Sequence, residues 1–403
     1  MQASEVVEGL AGFVGRGAGT DAERRAADWL ADRLRRAGQE ATVETFWCRP
    51  NWALAHGWHA ALGVAGSLIS LASPAVGVAL LATAIASVFA DWLAGRSLGR
   101  QLTPERASQN VVLPASADAA VRLILTANYD AGRVGMVHQT WLRRPPARLR
   151  RALAGLTPGW QGWLVLALTW LLAIACLRLA GHTGRALAVA QLPPTAALLL
   201  AAALLAELGR APWSPAAGDN ATGVAVALAM ADGLAPAPPR HLTVELVLGG
   251  AGDSSQLGLS HHLRRHRHRL PRQRTIVLGL AACAGGRPRW WVSDGSLIPL
   301  RYARPLRRLA ERVAGQEPGL RARPHRGRGS SPALPARIAG IPAVTLGCLD
   351  DDGLVPGSHR ATDTAAAVDP DAMEAALAFG RLLVEAIDAA VGELRIEPAV
   401  TPA

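Results

Sequence analysis

The sequence predicts an α/β domain with a mixed, largely parallel sheet, interrupted by about four transmembrane helices in two hairpins. Three observations carry that expectation. Short apolar runs of strand length alternate with helical patterns, as they do where parallel strands are joined by crossover helices. Four long apolar stretches fall between the polar segments, in two pairs. An even number of crossings returns a chain to the side it left. The polar segments 1–50, 100–150 and 210–403 can therefore build one discontinuous domain on a single membrane face.

The elements follow in order. Thr20–Gly38 reads as an amphipathic helix: Thr20 or Asp21 caps it, Ala27, Leu30, Leu34 and Ala37 line one face, and Gly38 ends it. Glu40–Phe46 alternates as a strand does. Residues 60–90 carry no formal charge and are broken only by Pro74. A ~30 Å hydrocarbon core takes roughly 20 helical residues, so this run is too long for one crossing. It is expected to form a first hairpin over 54–93, as Leu54–Ala72 and Ala75–Leu93 turning at Ser73-Pro74. Asn110–Pro114 and Val121–Ala127 read as buried strands, the second opening into Asn128-Tyr129-Asp130. A second hairpin is expected over 159–206, with the polar turn His182–Arg185 between Gly159–Leu177 and Ala186–Ala206. Core helices of a soluble domain keep a wet stripe that these stretches lack. Trp58 and Trp92 bracket the first hairpin and Trp160 and Trp163 open the second, at the level where indoles favour the membrane interface. No span is expected to carry an ionisable side chain of the kind that marks a transport path.

Beyond the hairpins, Asp219-Asn220 heads a helix over Ala221–Leu234, and His241–Gly249 is a strand followed by a tight glycine-rich turn. A short helix near Leu257–Leu263, strands at Thr275–Leu280 and Gly340–Gly347, and a closing helix over Pro370–Val391 complete the pattern. Ligands in such sheets sit at the carboxyl ends of the strands, where these loops fall.

The 403 residues carry a net charge of +11, and every basic residue is arginine. Arg143, Arg144, Arg148, Arg150 and Arg151 precede the second hairpin, and Arg96, Arg100 and Arg106 follow the first, all on the polar domain's side. The far-side turns carry almost no charge. The positive-inside rule then predicts a multi-pass protein of the cell membrane with its polar domain in the cytoplasm. The lipid bilayer and anionic headgroups are the expected partners. Nucleic acid is not expected, because no aromatic platform or recognition-helix pattern accompanies the charge. Met1–Pro50 has no basic stretch leading into an apolar core, so no signal peptide is expected. Cys48, Cys176, Cys283 and Cys348 are scattered without disulfide or zinc-ribbon spacing.

The strand-end loops present Asp130, Asp219, Asp253 and His359, with Asn128 and Asn220 beside them. Carboxylates and a histidine converging from separate strand ends suit a hydrolytic metal site, where an acidic neighbour acts as base for the metal-bound water. Order and spacing then resemble metallopeptidase family 28, the co-catalytic zinc aminopeptidases related to glutaminyl cyclases. Ser108-Gln109-Asn110-Val111-Val112 is similar to its first sheet strand, and Leu123–Asp130 to its strand ending in His-x-Asp. Asp219-Asn220-Ala221-Thr222-Gly223 resembles its Asp-Asn-x-x-Gly helix start. Gly252–Ser260 resembles its Glu-Glu-x-Gly-Leu-x-Gly-Ser turn, and His359–Asp363 its closing His-x-x-x-Asp. The resemblance covers most of the polar domain, implies a three-layer aminopeptidase-like fold, and leaves the hairpins as insertions.

Residue by residue, the resemblance implies a depleted site. Asp219 stands at the bridging-carboxylate position and His359 at the last histidine ligand, both retained. The first histidine ligand is replaced by Asn128, with its orienting Asp130 kept. The general-base glutamate is replaced by the shorter Asp253, and the adjacent glutamate ligand by Ser254. The remaining aspartate ligand falls on Ala281 or Ala282. Two retained ligands do not hold a pair of cations. The expectation is at most one zinc ion and a catalytically degenerate, membrane-integrated homologue that binds a peptide or protein partner. The alternative is a membrane-anchored one-zinc hydrolase, of aminopeptidase or cyclase type, using Asp219 and His359.

Other features have plain readings. His261, His262, His266 and His268 lie among arginines that repel cations, so a solvated helix end or lipid-facing patch is expected there. Asp350-Asp351-Asp352 reads as an exposed acidic turn, and Trp290-Trp291 as an edge resting on the membrane.

Overall fold

The computed structural model describes residues 2–115 and 121–393, so residues 116–120 and the last ten of the expected 210–403 segment lie outside the described part. Nine strands form one sheet: β1 (Thr42–Cys48), β2 (Arg106–Leu113), β3 (Val121–Asn128), β4 (Leu242–Gly249), β5 (Thr275–Leu280), β6 (Arg287–Asp294), β7 (Leu300–Arg301), β8 (Arg323–Arg326) and β9 (Ala343–Leu349). The order is β1-β2-β4-β3-β5-β9-β6-β7, with β8 paired to β6. The four central strands, β4-β3-β5-β9, are mutually parallel. β2 is antiparallel to β4, and β6 to β9.

Alternation along the central strands builds two cores. On β3, Leu123, Leu125 and Ala127 face one side, with Leu246 and Leu248 of β4. Ile124 and Val247 face the other. The first side is covered by helices Ala3–Ala11, Asp21–Arg36, Thr222–Leu234, Arg304–Gln316 and Pro370–Glu393, the second by helices Leu257–Arg265 and Leu334–Ile338. This is the expected layered α/β fold. Thr20 caps its helix as read, its side chain accepting from the Glu23 amide.

β6 departs from the expectation. Trp290 and Trp291 do not rest on a membrane: they lie inside the sheet and are only 4% and 7% exposed. Trp290 stacks on Phe379 of the closing helix, and Trp291 packs edge-on against His325. The flanking arginines disguised a strand whose indoles fill both cores.

The two hairpins comprise helices Trp52–Ile69, Pro74–Ala94, Trp160–Leu179 and Arg185–Leu208. They share their own apolar cluster, including Leu81, Val88, Leu168, Leu171 and Leu198. Three of them, all but Trp52–Ile69, are long and apolar enough to cross a membrane. Leu166, Trp170, Val189, Leu192, Leu199 and Leu200 on those helices are exposed. Trp52–Ile69 carries His56 and His59, which lower its apolarity, so the count of about four spans is not confirmed.

Those two histidines, with Asp91, correct the expectation of spans without ionisable groups. The Asp91 carboxylate accepts from the Arg100 guanidinium at 2.5 Å and lies 3.1 Å from His56 Nε2. His59 meets Ser87 Oγ at 2.8 Å. All of these side chains are buried. They occupy the helix ends nearest the α/β domain, where the Asp91–Arg100 pair ties the first hairpin to the segment that follows it. Arg100, expected beside lipid, belongs to this cluster.

Candidate functional site

Loops from the carboxyl ends of β3, β4 and β9 enclose a cleft of about 480 Å³. Asp253, Ser254, His359, Arg133 and Trp213 line it, and Trp52 and Leu208 of the hairpins close one wall.

Asp130 ties the β3 loop to the β4 loop. Its buried carboxylate accepts from the amides of Gly252 at 2.7 Å and Asp253 at 3.1 Å, and from Asn128 Nδ2 at 3.2 Å. Burial, reinforced by the charge of Asp253, pushes Asp130 up to about 7. Asn128 is spent in the same network. Its amide donates to Asp130, and its carbonyl oxygen accepts from Asn220 Nδ2 at 3.1 Å. Asn220 also donates to the backbone carbonyls of Asn128 and Leu280, pinning the ends of β3 and β5.

Past β4 the chain turns through left-handed backbone at Ala251, Ser255 and Gln256, and the reversal aims Asp253 inward. Its carboxylate accepts from the Trp52 indole at 3.1 Å, and burial raises its pKa. Ser254 is engaged at the cleft wall, donating its hydroxyl to the Pro50 carbonyl. Ala281, at the end of β5, presents a methyl group.

Asp219 lies in the turn before helix Thr222–Leu234, and the Asp219–Asn220 peptide is cis. Asp363 supports that turn, accepting from the amides of Gly218 at 2.6 Å and Asp219 at 3.1 Å. Burial and then the charge of Asp219 push Asp363 up to about 6. The Ser358 hydroxyl donates to Asp219 Oδ2 at 2.6 Å. His359, in left-handed backbone at φ 57°, places Nε2 3.6 Å from Asp219 Oδ2 and 3.6 Å from Asp253 Oδ1.

The structure thus brings Asp219, Asp253 and His359 together, with Asp130, Asn128 and Asn220 as their support. Sequence reasoning missed three neighbours. His138 stacks on His359, with ring centroids 4.3 Å apart and planes 16° apart. Its buried Nε2 has no partner among the described residues, and burial pushes its pKa down to about 2, so it is neutral. Arg133 lies over the Trp213 ring at 3.8 Å. Arg143 donates to the Ser358 carbonyl at 2.9 Å, next to His359 in the chain. None had a signal in the sequence, because none falls within a motif on which the resemblance rests.

The residues do not fit a co-catalytic zinc pair. Of the five positions that hold metal in the family resembled, only Asp219 and His359 offer a free ligand atom. His138 adds nothing to them, since the in-plane lone pairs of two nearly parallel stacked rings do not converge on one ion. Among the described residues, only Glu44, His262 and His266 bring three His, Cys, Asp or Glu donors within 4.8 Å of one another, and they lie outside the cleft.

Comparison with known proteins gives the fold a family context. The family model for peptidase family M28 matches residues 190–383. No curated protein matches the chain in sequence. Among solved structures, a Zn-dependent exopeptidase from Parabacteroides distasonis is 13% identical, covers 96% of each chain and gives a TM-score of 0.53. A zinc aminopeptidase from Bacillus subtilis is 14% identical over 96% of this chain and 94% of its own, with a TM-score of 0.53. The glutaminyl cyclase of Porphyromonas gingivalis is 15% identical over 96% and 97%, with a TM-score of 0.52. At these identities the likeness is one of fold. The chain carries an M28-like metallopeptidase fold.

Proposed function

We propose that this M28-like domain is a catalytically degenerate, membrane-integrated binding module whose cleft takes a peptide segment of a partner protein. The observation that carries the reading is the consumption of the former ligand positions: Asn128 is hydrogen-bonded at both ends of its amide, and Ser254 is turned to Pro50. The cleft itself remains open, with a carboxylate at Asp253, a guanidinium at Arg133 and indole walls at Trp52 and Trp213. Such a mixture suits the charged and apolar groups of a peptide end. Three helices apolar enough to cross a bilayer support a multi-pass membrane location. The arginines at the domain side of the hairpins support a cytoplasmic domain and attraction to anionic headgroups.

A second reading, a one-zinc hydrolase, is favoured by a specific distance. Asp219 Oδ2 and Asp253 Oδ1 each lie 3.6 Å from His359 Nε2, close to the separation of about 3.3 Å between ligand atoms around a tetrahedral zinc.

Full-length protein in detergent separates the two. The expected result is no hydrolysis of leucyl p-nitroanilide or glutaminyl peptides, and the same zinc content in wild type and in Asp219→Ala/His359→Ala. Fluorescence titration with short unblocked peptides should give an affinity unchanged by a chelator and weakened about tenfold or more by Asp253→Asn, the scale of a lost charged hydrogen bond. Hydrolysis lost together with zinc in the double variant would establish the one-zinc enzyme instead.

A further inference from the structure

We propose that Glu44, His262 and His266 form a second site, outside the cleft, for a divalent cation of the zinc class. The histidine tract expected to be a solvated or lipid-facing patch is organised otherwise. His262 and His266 stand four residues apart at the end of helix Leu257–Arg265, so both rings leave the helix on the same face. Two histidines at this spacing are a recurrent zinc-binding pair. Glu44 rises from β1 between them: its Oε2 is 3.2 Å from His262 Nδ1 and its Oε1 2.7 Å from His266 Nε2.

The distances suit replacement of those direct contacts by an ion. Ligand atoms about 2.0–2.2 Å from a tetrahedral zinc stand roughly 3.3–3.5 Å apart. The donors here are mutually within 4.8 Å, so small side-chain movements bring all three to bonding distance. Three protein ligands leave a fourth position for water. The side chains of Glu44 and His266 are 16% and 25% exposed, which gives an ion a way in.

The surroundings supply the independent observation. His262 is 2% exposed and its far nitrogen, Nε2, is 3.0 Å from the carboxylate of Glu245, itself 5% exposed. Arg122 donates to the other oxygen of Glu245 at 2.9 Å. A metal-bound histidine characteristically donates its second ring N–H to a carboxylate, which fixes the tautomer and aims the free lone pair at the ion. Here Nδ1 is the aimed nitrogen. Of the interleaved arginines, Arg264 turns to the Ala94 carbonyl and Arg265, Arg267 and Arg269 are exposed, where solvent screens them. An ion here would clamp the edge strand β1 to the helix that follows the Asp253 loop.

The test uses full-length protein, stripped with a chelator and titrated with zinc and, separately, with cobalt. Wild type and Asp219→Ala/His359→Ala should each take up one equivalent at this site, with a rise in melting temperature and a cobalt absorption spectrum of nitrogen–oxygen ligation. His262→Gln/His266→Gln should lose that equivalent, the spectrum and the thermal rise. Glu245→Gln keeps all three ligands and should bind about 10–100-fold more weakly. Should the histidine variant fail to fold, Glu44→Gln serves in its place, with the same loss expected. Uptake that vanishes in the Asp219/His359 variant, uptake unaffected by the triad variants, or no uptake by wild type would overturn the site, leaving a metal-free Glu–His–Glu hydrogen-bond relay.

Discussion

At the scale of single residues, the proposed degeneracy rests on what the framework does with the positions around the cleft. Two of those positions carry groups that the framework uses: Asn128 braces Asp130 and accepts from Asn220, and Ser254 bonds Pro50. The retained His359 depends on a residue with no chemistry of its own. A Cβ on Gly132 would lie 2.1 Å from His359 Cε1 and 2.3 Å from Nδ1, closer than atoms tolerate. Gly132→Ala must therefore displace the imidazole or its loop. Overpacking of this kind costs about 1–3 kcal/mol. Gly132→Ala should lower the melting temperature and weaken peptide binding in the cleft, while zinc uptake at Glu44, His262 and His266 stays as in wild type. The acidic and histidine residues of the cleft were legible in the sequence because motif order revealed them. His138, Arg133 and Trp52 were not, since contacts made across an insertion leave no local pattern.

At the scale of elements, helix Asp21–Arg36 is anchored through Glu23, whose buried carboxylate accepts from the amides of Gly19 at 2.6 Å and Ala251 at 2.8 Å and from Ser108 Oγ at 2.8 Å. One side chain thus joins the helix start, β2 and the loop that aims Asp253. Burial, with the charge of Asp130, pushes Glu23 up to about 8 from an ordinary 4.5. The folded protein then holds a proton that the unfolded chain releases between those values, so stability from this group is greatest below about 4.5 and falls as pH rises toward 8. Glu23→Gln forgoes part of the hydrogen bonding and should melt lower at pH 5. The gap between variant and wild type should narrow by pH 8, and thermal melts across that range would show it. A gap that stayed constant across that range would mean the carboxylate is ionised in both states. The same helix illustrates what elements reveal in advance. Its cap, apolar stripe and terminal glycine were all readable, as were β3, β4, β5 and β9, whose apolar runs face two cores. β6 was not, because Arg287 and Arg289 flank its tryptophans, and β8, Arg323–Arg326, has no apolar pattern at all. Both owe their conformation to pairing with neighbours already in place.

At the scale of the whole molecule, the polar segments meet in one sheet while the apolar helices project as a bundle, and the cleft lies where the two join. Trp52 belongs to both, since its indole donates to Asp253 from the first turn of a hairpin helix. The buried Asp91–Arg100 pair ties the first hairpin to the segment that leads into β2. The proposed cytoplasmic domain requires the short turns to emerge outside the cell, and this has a direct test. His182 is exposed in the turn between Trp160–Leu179 and Arg185–Leu208, and Arg36 is exposed at the end of its helix in the domain. In a Cys176→Ser background, His182→Cys should react with a membrane-impermeant maleimide in intact cells. Arg36→Cys should react only after lysis. Charge asymmetry is what sets this expectation: the turn carries Arg185 and little else, whereas the domain side keeps Arg96, Arg144 and Arg148 exposed or partly so. The opposite labelling pattern would place the cleft outside the cell, and both sites labelled only after lysis would mean that this hairpin does not cross the membrane.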